Sequence, residues 1–178
     1  MRIAQIRKMD ISNGLGVGVS IFTQGCHFHC PGCHNHQLWS FEGGELLTDE
    51  KELQIIDALS PSYIQRFSIL GGEPLENENL RSLASLIMLI KRYKPTIKIW
   101  LYTGWTFEEL LIKIEKGKKD SLYYLDFILQ NIDILVDGPF IQEQKDITLA
   151  FRGSSNQRIL DAPLSMLYKK PIEKEIDK

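Results

Sequence analysis

The sequence predicts an α/β protein, an open partial (β/α) barrel built on a mostly parallel sheet. Three observations lead there. Short apolar runs suited to buried strands alternate with longer segments whose apolar residues recur at helical spacing, the pattern of βαβ units. The strand-like runs end in loops rich in glycine or cysteine. There are too few such units to close an eight-stranded barrel, and right-handed crossovers curl the sheet one way.

Taken in order, residues 4–7 and 17–23 read as two short strands around the turn-rich Asn13-Gly14-Leu15-Gly16-Val17-Gly18. A helix is predicted from Thr48 or Asp49, both good N-caps, with Leu53, Ile56 and Leu59 at helical spacing and Pro61 just beyond. Residues 67–70 form a buried strand that runs into Gly71-Gly72-Glu73-Pro74. A helix over 77–93 stops before Pro95, and a strand over 97–102 ends at Thr103-Gly104. A third helix starts near Thr106, residues 116–120 make a charged break, and residues 127–130 close another helix. The last clear strand is 132–136, ended by Asp137-Gly138-Pro139. The expected division is a barrel domain over 1–163 and a charged, peripheral tail over 164–178.

Composition narrows the function. With 178 residues the chain fits one domain, and its net charge of −2 argues against a general nucleic-acid binder. No apolar run approaches the length of a membrane helix, and the first ten residues lack the apolar core of a signal peptide. A cytoplasmic protein is expected, in a compartment that keeps thiols reduced.

The chain has three cysteines, all between residues 26 and 33. An odd, clustered set is a poor disulfide framework and reads first as a metal site. The loop is Cys26-His27-Phe28-His29-Cys30-Pro31-Gly32-Cys33, a C-x3-C-x2-C spacing. Thiolates suit zinc or iron–sulfur clusters. A cubane normally takes four thiolates. With three, one iron is left with an open coordination position for a substrate. The rival reading is a structural zinc site with His27, His29, His34 or His36 as fourth ligand, and a histidine closing the cluster is another. Gly71-Gly72-Glu73-Pro74 follows a strand, so its glycines would let a ligand approach the backbone and Glu73 could accept a hydrogen bond from an ammonium group. An ordinary strand-to-helix turn is the alternative. By this reading a valine at Gly72 would clash with that ligand. Tyr102-Thr103-Gly104 could line the same pocket, and Trp39, Trp100 and Trp105 are read as packing residues.

The cysteine spacing followed by Gly-Gly-Glu-Pro resembles the radical S-adenosylmethionine enzymes. Asp10 to Gly14, Gly25-Cys26, Cys30 to Cys33, Gly71 to Pro74, Tyr102 to Gly104, Val136 to Phe140 and Arg152-Gly153-Ser154-Ser155-Asn156-Gln157 occur in that order. Over residues 10–158 the chain is similar to the activating proteins of anaerobic ribonucleoside-triphosphate reductases. The resemblance implies a partial barrel of the radical S-adenosylmethionine type, with a [4Fe-4S] cluster on Cys26, Cys30 and Cys33. It implies S-adenosyl-L-methionine held near Gly32, Cys33, His34, Gly72 and Glu73. The implied activity is reductive cleavage of that cofactor to place a glycyl radical on the reductase, with an electron donor such as flavodoxin. The sequence departs from the superfamily at Gly32, where an aromatic residue is common, and His34 is expected to serve instead near the adenine. Remaining alternatives are a sister glycyl-radical activase, a carboxy-deazaguanine synthase and a zinc-binding module.

Overall fold

The computed structural model describes residues 1–117 and 119–176. Among them, seven strands form one mixed sheet in the order β3-β1-β2-β4-β5-β6-β7. In chain order these are β1 (Arg2–Asp10), β2 (Gly18–Thr23), β3 (Glu45–Leu46), β4 (Arg66–Gly71), β5 (Lys98–Tyr102), β6 (Ile134–Asp137) and β7 (Arg158–Asp161). The helices are α1 (Asp49–Ala58), α2 (Asn77–Tyr93), α3 (Phe107–Lys116), α4 (Lys119–Asn131) and α5 (Ala162–Tyr168). β2, β4, β5 and β6 are successive parallel neighbours, while β1, β3 and β7 join through antiparallel pairings. The sheet is open, with β3 and β7 at its two edges.

Side chains alternate across the sheet with period two. Val19, Ile21, Phe67, Ile69, Ile99, Leu101, Leu135 and Leu160 face the helices and join the main core. The opposite face carries Trp100, Ile134, Val136 and Ile159 in one cluster and Phe22 and Leu70 in another. It also carries a buried charge. Arg66 donates to the carbonyls of Asn13 at 2.7 Å, Leu15 at 3.2 Å and Gly16 at 3.3 Å, to that of Asp10, and to Ser68 Oγ at 2.6 Å. One guanidinium thereby fixes the β1–β2 loop over the open face. Gly14 allows the fit, since a Cβ there would lie 2.5 Å from Arg66 Cδ and 2.9 Å from Trp100 Cδ2.

The expected helix limits hold at α2, and α3 begins with Thr106 in a capping box with Glu109. In α1 the inward residue is Ile55, fully buried with Leu59, while Leu53 points to solvent at 62% exposure. β6 starts two residues later than expected, and Asp133 just before it binds the Ile99 N–H and Lys98 through its carboxylate. β3, β7 and α5 were not expected. The segment expected as a peripheral tail starts within α5 and is tied to the sheet edge, where the Asp161 N–H donates to Ile172 and the Lys174 N–H to Ile159. The charged break after α3 passes through Gly117; its residue Lys118 lies outside the described residues. No helix among the described residues is long and apolar enough to cross a membrane.

Candidate functional site

The parallel strands all point their carboxyl ends the same way, and functional loops in such sheets gather there. One cavity of about 170 Å³ at that end draws its walls from four successive loops. The loop after β2 supplies Cys26, Phe28, Cys30, Cys33 and Asn35, and β4 and its loop supply Leu70, Gly71, Gly72 and Glu73. From β5 come Tyr102, Thr103 and Gly104, and from the β6–β7 loop Gly138, Phe140 and Gln157. The three cysteines, Gly72 and Glu73 are thus brought together. Gly32 and His34 are exposed and are not part of the cavity wall.

Cys26 is buried, and Cys30 and Cys33 are half-exposed. Burial pushes the Cys26 thiol up to about 11, against backbone N–H groups of Phe28 and His29 that pull it down. Burial also raises Cys30, partly offset by the Phe140 N–H. A thiolate here needs a strong counter-charge, which a metal centre provides. The cysteines share the cavity without converging on one point: no three His, Cys, Asp or Glu among the described residues are grouped tightly enough for a single ion. In a cubane each thiolate binds a different iron, so the donor set of three soft thiols around a shared cavity fits such a cluster.

Three of the four neighbouring histidines, His27, His29 and His36, have contacts elsewhere. Glu76 clamps His27, accepting its backbone N–H at 2.9 Å and meeting Nδ1 at 3.0 Å. His29 and His36 lie against the Trp39 ring. Glu76 was not singled out from the sequence; it is the fifth residue after Gly71, and nothing local marks its reach to the cysteine loop.

The Gly-Gly-Glu-Pro turn has a different local logic from the one expected. A Cβ on Gly72 would run into the Gly25 carbonyl oxygen, so the glycine is required first by the crossing of two backbones. Gly72 N–H donates to Thr23 and Glu73 N–H to Gly25, both at 2.8 Å, which locks this turn onto the residue before Cys26. The Glu73 carboxylate is buried and already holds three protein donors at 2.8 Å: Leu75 N–H, Thr103 Oγ1 and Gly104 N–H. Burial pushes it up to about 7, against those donors. A carboxylate offers about four acceptor positions, so one remains for a ligand.

The two remaining sequence segments also meet. Asn156 Nδ2 donates to the Pro139 carbonyl at 2.7 Å and Gln157 Nε2 to Gly138 at 3.0 Å. Gln157 Oε1 accepts the N–H groups of Gly153 and Ser154, and Arg152 donates to the Gln157 carbonyl. Asp137 is buried beneath them, bound by Arg158 and by the Phe107 N–H. Residues 152–157 are therefore a brace for 138–140.

A larger cavity of about 700 Å³ opens at the other end of the sheet, around Gln65, Lys98, Trp100 and Asp133. Its charges are paired within the protein, Lys98 with Asp133 and Lys174 with Asp161, each at 2.9 Å. It contains none of the residues the sequence assigns to cluster or cofactor binding.

Comparisons with known proteins point to an iron–sulfur domain. The family of 4Fe-4S single cluster domains matches residues 12–160. Three curated relatives each carry the name anaerobic ribonucleoside-triphosphate reductase-activating protein. That of Haemophilus influenzae is 38% identical over 161 residues, covering 89% of this chain and 97% of its own. That of Vibrio cholerae is 40% identical over 161 residues with the same coverage. That of Escherichia coli K12 is 36% identical over 159 residues, covering 88% of this chain and 96% of its own.

Proposed function

The chain belongs to the family of anaerobic ribonucleoside-triphosphate reductase-activating proteins, and from that premise we propose that it is a radical S-adenosylmethionine enzyme that installs a glycyl radical on such a reductase. The observation that carries this reading is the meeting of three cysteines, with no fourth in the chain, and the Gly-Gly-Glu-Pro turn in one cavity at the carboxyl ends of the parallel strands. The open sheet is then the partial barrel of that superfamily.

Cys26, Cys30 and Cys33 hold the [4Fe-4S] cluster, and Gly72 and Glu73 help to hold S-adenosylmethionine. When bound, the two cofactors supply a one-electron bond cleavage that yields a hydrogen-abstracting carbon radical; the protein supplies binding and orientation. Gly72 does this through the backbone, by keeping the turn against Gly25. Glu73 anchors the Thr103-Gly104 loop and keeps one acceptor position for an ammonium group. Gly32 and His34, outside the cavity wall, have the weaker geometric support as cofactor contacts.

Cys30 and Cys33 stand half-exposed at the mouth, which leaves an approach for a partner's glycine loop. Glycine lacks a Cβ, so its Cα can come to the near-contact distance of roughly 3–3.5 Å that atom transfer needs. A small electron carrier such as flavodoxin is the proposed reductant, and the cytoplasm the proposed location. The test mixes this protein, S-adenosylmethionine, a reductant and the reductase without oxygen. A glycyl doublet should appear in the electron paramagnetic resonance spectrum, collapse on α-deuteration of glycine, and be accompanied by 5′-deoxyadenosine. Cofactor cleavage with a radical on another glycyl-radical enzyme, and none on this reductase, would move the protein to a sister activase.

A further inference from the structure

Three aromatic side chains line the cysteine cavity: Phe28, Tyr102 and Phe140. Two are committed to the protein. Phe28 meets Trp105 edge-on at 5.0 Å and lies so close to Gly104 that a Cβ there would approach its ring to 2.8 Å. Tyr102 packs on the cluster of Phe22, Leu38 and Leu70. Phe140 has no ring partner among the described residues and is only half-buried, although it follows Pro139 on a tightly braced loop. Behind it stands Gly153, where a Cβ would lie 3.1 Å from ring carbon Cδ2. Glycine at 153 thus lets the brace close directly onto the ring.

The surrounding bonds explain what residues 152–157 achieve. Asn156 holds the Pro139 carbonyl and Gln157 the Gly138 carbonyl, so both peptide units before Phe140 are fixed from one side. Ser154 Oγ accepts the Ile141 N–H at 3.2 Å, which fixes the residue after it. Gly138 adopts φ +96°, a conformation that favours glycine, and its N–H donates to Trp105 in the β5 loop. The whole arrangement immobilises one apolar ring on the cavity wall, with its backbone beside Cys30. An unpartnered aromatic ring held at that place is suited to a flat π-system, and aromatic side chains stack on bases without needing hydrogen-bond readout.

We propose that Phe140 stacks on the adenine of S-adenosylmethionine, and that residues 152–157 exist to hold it there. The inference rests on the reading of the cavity as the S-adenosylmethionine site. It favours the adenine over the partner's glycine loop because a glycine backbone offers no ring to stack. The adenosyl group must also lie at the cysteine end of the cavity, where Phe140 stands.

The test compares anaerobically reconstituted wild-type protein with Phe140→Leu, Phe140→Tyr and Asn156→Ala. Iron content and the dissociation constants of S-adenosylmethionine and of methionine, an adenine-free probe, are measured by equilibrium dialysis. Phe140→Leu should weaken S-adenosylmethionine binding about tenfold, which is ~1.4 kcal/mol, with iron content and methionine binding unchanged. Phe140→Tyr should stay within about twofold. Asn156→Ala should shift in the same direction as Phe140→Leu by loosening the ring. Wild-type affinity in Phe140→Leu, or an equal loss for both probes, overturns the proposal. So does a loss confined to radical yield on the reductase, which would give the ring to the partner. Wild-type protein that holds a cluster and binds no S-adenosylmethionine would instead overturn the proposed function.

Discussion

Replacing Gly72 with alanine separates two explanations of the Gly-Gly-Glu-Pro turn. The added Cβ would collide with backbone atoms of Gly25, and neither partner can escape by changing rotamer. Relief requires the two loops to part. Overpacking of this kind costs about 1–3 kcal/mol, and loss of the Glu73 N–H to Gly25 bond adds about 1 kcal/mol. A loss of roughly 2–4 kcal/mol corresponds to a melting temperature lower by about 5–15 °C for a chain of this size. Since Gly25 precedes Cys26, iron retention should fall as well. Gly32→Ala is the control. Its Cβ would meet the Gln142 side chain, which is exposed and can move aside, although Gly32 sits at φ +71°. That variant should lose about 1 kcal/mol from backbone strain. The assay is anaerobic thermal unfolding with iron quantified after reconstitution. A Gly72→Ala protein with wild-type stability and full iron, but reduced S-adenosylmethionine affinity, would refute the packing argument and restore ligand approach as the reason for glycine.

Two further predictions follow from the same loops. Replacing Cys26, Cys30 or Cys33 with alanine should abolish iron–sulfur absorption after reconstitution, while His27→Ala and His36→Ala should keep it, because those rings contact Glu76, Phe41 and Trp39; stoichiometric zinc with no iron–sulfur absorption in the parent protein would sink the cluster reading. Glu73 titrates near 7 in the fold against an ordinary 4.5, so the unfolded chain releases its proton first as pH rises. Stability should therefore decline from about pH 4.5 to about pH 7, by at most ~3 kcal/mol. Denaturant midpoints of cluster-free protein at pH 5 and pH 8 check this; Glu73→Gln should flatten the difference, and an undiminished slope in that variant would assign it to another group.

Legibility in the sequence followed the range of the interactions. α2 and α3 were readable because their stop and start signals are local, Pro95 for one and the Thr106–Glu109 box for the other. The cysteines and the Gly-Gly-Glu-Pro turn were readable because rare residue types stand at short fixed spacings. α5 carried a signal that was passed over: Asp161 caps it and Pro163 sits in its first turn. β7 has only four residues, too few to show alternation, and its place in the sheet comes from pairing with β6. Arg66 stood directly before an apolar strand, yet its target is the β1–β2 loop some fifty residues earlier. Glu76 and Asn35 were invisible as site residues for the same reason. Asn35 reaches Gly71 and Glu76 reaches His27 only after the strands bring their loops together.

The site loops are tied one to the next in the order of the strands. The loop after β2 is held by the turn after β4, through Gly72 N–H to Thr23 and Glu73 N–H to Gly25. That turn holds the β5 loop through the Glu73 carboxylate on Thr103 and Gly104. The β5 loop holds the next one, since Trp105 accepts the Gly138 N–H, and residues 156–157 close the series on Gly138 and Pro139. Glu73 sits in the middle of this series, buried, with three hydrogen-bond donors on its carboxylate. A buried carboxylate costs free energy unless its acceptor positions are filled. Filling one of them from its own turn and two from the β5 loop turns that cost into geometry. The cysteines, the turn and Phe140 are kept at fixed separations before any cofactor arrives, so binding energy need not be spent on ordering the walls. The same arrangement explains why a change at Gly72 or Glu73 should be felt at Cys26 on one side and at Gly104 on the other.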